Sequence, residues 1–268
     1  MPHALTWIAL AGYAAATAGY LAYLWTRRLP LARLAHAAAA AGFVAHVAAY
    51  GAECAASRAM VVASTHGAFS LLTLCTVLVL LTLVFRHGLH MLGAFVMPLA
   101  VAAMAVAAAA PVPPAPPAFL RGALFPLHVT TSFLGLAALT AACGVAVAYL
   151  VQRRELKSRR PDQLAYVLPP LDVLDRLTAR LVLLALAALG AGIVTGILFT
   201  RQTEGAWWPS DPKSAAMLVS WLVYAATAVL HAGAGWRGRR HALAVIGGFV
   251  LVVGVFAGLH HLPASPSP

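Results

Sequence analysis

The side chains in this sequence with the most evident chemistry are its histidines and one tryptophan pair. Eleven histidines are present, and six of them, His46, His66, His128, His231, His260 and His261, lie within or at the edge of long apolar runs. An ionisable side chain in such a run is costly and marks function by default. The other five read as interfacial: His87, His90 and His241 adjoin arginines, His3 is terminal, and His36 opens an apolar run just after Arg33. His128 sits in Pro126-Leu-His-Val-Thr-Thr-Ser132, with Thr131, Ser132 and Gly135 on the same face of a helix. His260 and His261 close the last apolar run. The tryptophans lie in Gly205-Ala-Trp-Trp-Pro-Ser-Asp-Pro-Lys-Ser214, where Pro209 and Pro212 interrupt any regular helix. Trp207 and Trp208 there form a flat apolar ledge edged by Asp211 and Lys213, suited to a large planar amphipathic ligand; an aromatic-belt loop at the lipid headgroups is the alternative. Two neutral imidazoles facing each other above such a platform would make a bis-His axial site for haem iron. Arg121, Arg201 and Lys213 are the cations available for its propionates.

The elements that must position these groups follow from composition. Hydrophobic residues make up 62% of the 268 positions and charged residues 9%, with mean hydropathy +0.86, which excludes an ordinary soluble domain. Eight apolar segments can be drawn, at roughly 5–25, 35–52, 62–84, 91–110, 124–150, 178–200, 214–235 and 242–261. Each is near the ~20 residues a membrane helix needs. The net charge of +11 is therefore a topology signal and not a nucleic-acid surface. Alternate loops carry nearly all the arginines, from Arg27 and Arg28 to Arg239 and Arg240, whereas the opposite set carries only Arg58, Arg121, Arg201 and Lys213. The positive-inside rule then puts both termini, and the tryptophan loop, outside. No Lys or Arg precedes the first run, which argues against a cleaved signal peptide.

A second pair of histidines lies deeper, His46 beside Tyr50 and Glu53 on one helix stripe and His231 on a face with Met217, Trp221 and Tyr224. Either could be a haem ligand or a helix-to-helix hydrogen bonder. Their spacings to His36 and His241 do not match the paired histidines of a membrane cytochrome b. Cys54, Cys75 and Cys143 form no Cys-x-x-Cys, so haem would be held non-covalently, as haem b. Nothing forms a hydrolase triad, a phosphate loop or a carboxylate cage. Pro111 to Pro117 reads as a stiff extended outer loop. The stretch from Leu156 to Asp175 reads as a short surface helix, and the tail 263–268 as disordered.

The run from Gly205 through Asp211-Pro-Lys213, Ser220-Trp-Leu-Val-Tyr224, His231, Gly235-Trp-Arg-Gly-Arg239 and Gly258-Leu-His260 resembles the carboxyl half of the cytochrome c assembly protein family, of the CcsA/HemX type. Leu127 to Leu134 matches that family's histidine-bearing helix, and Ala45-His-Val47 resembles its small eight-helix YpjD/HemX-like branch. Of the family's pattern Trp-Gly-x-x-Trp-x-Trp-Asp-Pro-Lys-Glu, this sequence keeps Gly205, Trp208, Asp211, Pro212 and Lys213, with Glu204, Ser210 and Ser214 as replacements. The resemblance implies haem ligation by His128 and His260, and haem in transit on His46 and His231. It also implies apocytochrome c and a thiol-presenting assembly protein as partners.

Together these point to an all-α polytopic bundle of about eight transmembrane helices over 1–262, in lipid, in a bacterial inner membrane. Its expected role is haem handling for cytochrome c biogenesis, as a chaperone or transport component and not a stand-alone enzyme. The alternative is an accessory or regulatory protein of the same fold that no longer delivers haem.

Overall fold

The computed structural model describes residues 2–57, 60–111, 122–158, 168–208 and 212–259. Among them run eight α-helices: α1 (Pro2–Thr26), α2 (Leu29–Ser57), α3 (Thr65–His87), α4 (Gly93–Ala109), α5 (Leu124–Lys157), α6 (Leu171–Glu204), α7 (Pro212–Gly233) and α8 (Arg239–Leu259). Seven of them, α1 to α7, are long and apolar enough to cross a membrane. The protein is an all-α, multi-pass membrane bundle.

The helices outrun the apolar segments that announce them, because polar and charged residues at the ends stay helical. The segment drawn at 178–200 is a helix from Leu171 to Glu204, and the one at 124–150 continues to Lys157. The stretch expected as a surface helix, Leu156 to Asp175, has its two ends in α5 and α6, and residues 159–167 between them lie outside the described residues. The proline-rich segment 112–117 and the tail 263–268 also lie outside them.

Helix α5 is the axis of the bundle. It packs most extensively on α6 and also touches α3, α4 and α8, while α1–α2 and α3–α4 form antiparallel hairpins joined through α1–α4. Small residues let α5 and α6 approach closely, as is common between membrane helices. A Cβ at Gly135 would fall 2.5 Å from Leu189 Cγ, and one at Gly192 would fall 2.4 Å from Ser132 Oγ. With neighbouring helices antiparallel, the arginines of the α1–α2, α3–α4, α5–α6 and α7–α8 connections gather at one end. His128 and the tryptophan loop lie at the other.

Two buried polar links tie the first four helices together. His46 on α2 is only 1% exposed, and both its ring nitrogens are engaged: Nδ1 lies 3.2 Å from Tyr13 Oη on α1 and Nε2 lies 2.7 Å from Ser70 Oγ on α3. His66 on α3 places Nδ1 2.8 Å from the carbonyl of Ala107 on α4 and Nε2 3.0 Å from Glu53 Oε2 on α2. A carbonyl only accepts, so Nδ1 is the protonated nitrogen. One proton then bridges Nε2 and the carboxyl, as an imidazolium–carboxylate or a neutral imidazole–carboxylic acid pair.

Removing one member of such a pair strands the other in an apolar interior, which costs about 3–5 kcal/mol, whereas replacing both by apolar groups can be near neutral. His66→Leu is therefore expected to destabilise the protein more than His66→Leu/Glu53→Leu does. Thermal unfolding of both variants in detergent checks the order.

Candidate functional site

The site is built where α5 begins. Pro126 lies in the first turn of α5, a position that tolerates proline. His128 follows on the face turned to α6, where the absence of side chains at Gly192 and Gly196 makes room for its ring: a Cβ at Gly196 would lie 2.8 Å from His128 Cε1. His128 Nδ1 donates to the carbonyl of Gly192 over 2.7 Å, and Thr195 Oγ1 donates to the same oxygen over 3.1 Å. Because that partner only accepts, the proton of the neutral ring is fixed on Nδ1 and the lone pair on Nε2. Nε2 has no hydrogen-bond partner among the described residues. A histidine that donates through one nitrogen to a carbonyl and offers the other is the usual arrangement of a metal-ligating imidazole.

His128 lines a cavity of about 680 Å³ shared by the start of α3, α5, the end of α6, α7 and α8. Its walls are mostly apolar, with Phe69, Phe133 and Phe249 among them, and the few polar groups include Ser132 and Ser214. A concave apolar site with few polar contacts is the ordinary form of a small-molecule pocket. Trp208 lines the same cavity.

The loop that delivers Trp208 is set by the end of α6. Gly205 caps the helix with φ +73°, a left-handed conformation that favours glycine, and its N–H donates to the carbonyl of Arg201 at 3.2 Å. The two tryptophans then separate. Trp207 is 67% exposed, and the Arg201 guanidinium carbon sits 3.5 Å from its ring centroid, a cation–π contact. Trp208, 40% exposed, lines the cavity. The expected two-ring ledge is thus one cavity wall and one outer stack, with Arg201 over an indole. Pro212 opens α7; Lys213 falls in its first turn, while Asp211, His260, His261 and Arg121 lie outside the described residues.

The other expected ligands are elsewhere. His46 is held between Tyr13 and Ser70, as above. His231 lies at the far end of α7, fourteen residues and about 20 Å from cavity-lining Met217. There its Nε2 is 3.1 Å from Asp175 Oδ2, and His241 Nδ1 is 3.0 Å from Asp175 Oδ1. His241, expected at the interface, is instead 1% exposed, because α6, α7 and α8 close around it. Asp175 is the residue that sequence reasoning missed: it precedes the apolar run drawn at 178–200, among charged residues, and only the extension of α6 back to Leu171 puts it in the bundle.

Residues 64–259 match the profile of the cytochrome c assembly protein family. The chain belongs to that family. The family match thus takes in His128, Trp207, Trp208 and His231, and leaves out α1, α2 and His46. The cytochrome c biogenesis protein CcsA of Prochlorococcus marinus is 37% identical over 91 residues, 34% of this chain and 29% of that protein. CcsA of a Synechococcus strain is 32% identical over 123 residues, 46% of this chain and 35% of its own. A 28.8 kDa Azospirillum brasilense protein from a nifR3-like 5' region is 33% identical over 138 residues, 52% of this chain and 51% of that one. The matched stretches thus span between 29% and about half of these relatives' own length. Among solved structures, the cytochrome c heme lyase CcmF superposes with a TM-score of 0.67 at 19% identity, over 97% of this chain and 51% of that chain. At that identity the likeness is one of fold.

Close α5–α6 contact at the site makes a further expectation. Gly192→Ala overpacks against Ser132 and should cost about 1–3 kcal/mol, and adding Ser132→Ala should recover part of it. A double-mutant cycle of detergent melting curves reads the coupling.

Proposed function

We propose that this family member binds haem b non-covalently in the cavity beside Trp208 and passes it on in cytochrome c biogenesis. The observation that carries the reading is His128: its tautomer is fixed by the Gly192 carbonyl, its Nε2 has no partner among the described residues, and it shares a mainly apolar, aromatic-walled cavity with Trp208. The residues present suit a porphyrin, with an imidazole lone pair for the metal, rings for the macrocycle, and cations among Arg201, Arg121 and Lys213 for the carboxylates. Haem is the cargo here and supplies the iron; the chain's own residues bind it, orient it and keep water from it.

In this proposal His128 is one axial ligand and His260 the second. Helix α8 lines the cavity with Phe249 and Val252 and runs on to Leu259, one residue short of His260. Gly205 sets the turn that carries Trp208, and Asp211 and Lys213 complete the polar margin. His46 and His231 are proposed as transit positions only after a change of partners, since each has the hydrogen bonds described above. Delivery takes place at the outer face of a bacterial inner membrane, to an apocytochrome c whose thiols a partner protein presents.

A second reading, a member that keeps the fold without delivering haem, draws on Glu204 and Ser210, which stand where the family's pattern has tryptophans. A pyridine haemochrome assay on purified protein separates the two. Haem should be present in the wild type and fall by more than about tenfold in His128→Ala, a larger loss than that of an outer-shell partner. Wild-type protein without haem, or His128→Ala with wild-type content, leaves the accessory role.

The cavity also distinguishes the two tryptophans. Trp208→Ala should weaken haem binding by about 2–10-fold, the value of one aromatic contact, and Trp207→Ala much less. Haem titration of the apoprotein in detergent measures both.

A further inference from the structure

At the opposite end of the bundle from the cavity, three side chains from three different helices converge: Asp175 of α6, His231 of α7 and His241 at the start of α8. We propose that they form a binding site for one divalent transition-metal ion, Zn²⁺ being the best match to the donors.

The geometry is the first support. One ligand atom from each residue lies within 4.8 Å of the other two. The carboxylate divides its oxygens, Oδ2 at 3.1 Å from His231 Nε2 and Oδ1 at 3.0 Å from His241 Nδ1. Tetrahedral zinc with bonds of roughly 2.0–2.1 Å has ligand–ligand edges of about 3.3 Å, so the triangle, no edge of which exceeds 4.8 Å, has to contract to seat an ion. Two imidazoles and one carboxylate form a donor set of the three-protein-ligand zinc type, which leaves a fourth position for water.

The surroundings are the second support. The N–H of Gly238 donates to Asp175 Oδ1 at 3.0 Å, an outer-shell bond that orients the carboxylate. Gly238 itself has φ +69°, and a Cβ there would fall 2.6 Å from the Tyr149 hydroxyl, so the amide's position is held for glycine. His241 is 1% exposed, and its Nε2 is buried without a hydrogen-bond partner. Because Nδ1 is the nitrogen that faces Asp175, this Nε2 points away from the carboxylate and is not one of the proposed ligand atoms. The side chains of Asp175 and His231 are 13% and 17% exposed, which gives an ion access from outside.

Proton accounting is simple. Without an ion, the nitrogens facing the carboxylate donate to it. On binding, each ring turns a lone pair to the metal, so the hydrogen on the liganding nitrogen leaves it, for the opposite ring nitrogen or for solvent. Because Arg176, Arg180, Arg237, Arg239 and Arg240 belong to the same end, affinity must come from the ligand bonds and not from the bundle's field.

Cobalt(II) is the probe, since tetrahedral Co²⁺ absorbs in the visible. Full-length protein without a polyhistidine tag is stripped with chelator in detergent and titrated with Co²⁺, then Zn²⁺. Expected are one equivalent of Co²⁺ with a tetrahedral spectrum bleached by Zn²⁺, and affinity at least about tenfold lower in Asp175→Asn and His241→Gln. His128→Ala and His260→Ala/His261→Ala should bind like wild type, separating this site from the haem cavity. No uptake by the wild type, or uptake indifferent to Asp175→Asn, overturns the proposal and leaves a hydrogen-bonded clip. Should either ligand variant fail to fold, X-ray absorption of the Co²⁺-loaded wild type decides: a first shell without two imidazoles overturns it equally.

Discussion

The near contact of the α5 and α6 backbones is the constraint on which the rest of the structure depends. Glycines at 135, 192 and 196 remove the side chains that would hold the two helices apart. That closeness brings a backbone carbonyl of α6 within reach of an imidazole on α5. In a membrane interior, where exchange with water does not compete, such a bond fixes both helix register and ring tautomer. A bundle with larger residues at those positions would separate the helices and leave His128 without its orienting partner. The same interface, continued toward Glu204, places the Gly205 turn and with it Trp208.

The histidines divide by what they touch. His46 and His66 use both ring nitrogens on neighbouring helices and read as fasteners between α1, α2, α3 and α4. His128 uses one nitrogen on the backbone and keeps the other. His231 and His241 share a single carboxylate at the far end. One residue type therefore has three physical roles in this chain, and hydrogen-bond saturation, more than burial, separates them: His46 and His241 are equally inaccessible.

Apolar length and arginine placement made the fold legible from sequence, because a membrane helix must satisfy its backbone internally and announce itself over some twenty residues. The helix ends were less legible, since residues such as Arg153, Asp175 and Glu204 carry no hydropathy signal and yet continue the helices. At the site, His128 and Trp208 were readable, one as an ionisable group opening an apolar run and the other from its proline-punctuated turn. The different surroundings of Trp207 and Trp208 were not, because a loop has no periodicity from which to infer direction. Asp175 and His241 escaped for a related reason: their flanking arginines suggest an interface, whereas burial there comes from the ends of three successive helices meeting.

The cavity is a cleft between helices that do not all touch one another. Helix α3 forms one side and α7 with α8 another, yet α3 has no extensive packing with either. Among the described residues no extensive packing of α3 on α7 or α8 closes that side, and in a bilayer acyl chains would meet the opening. A flat, oily guest would meet lipid along one edge and could slide in sideways, with no pore to traverse. Its affinity would then depend on the surrounding lipid or detergent as much as on the chain itself.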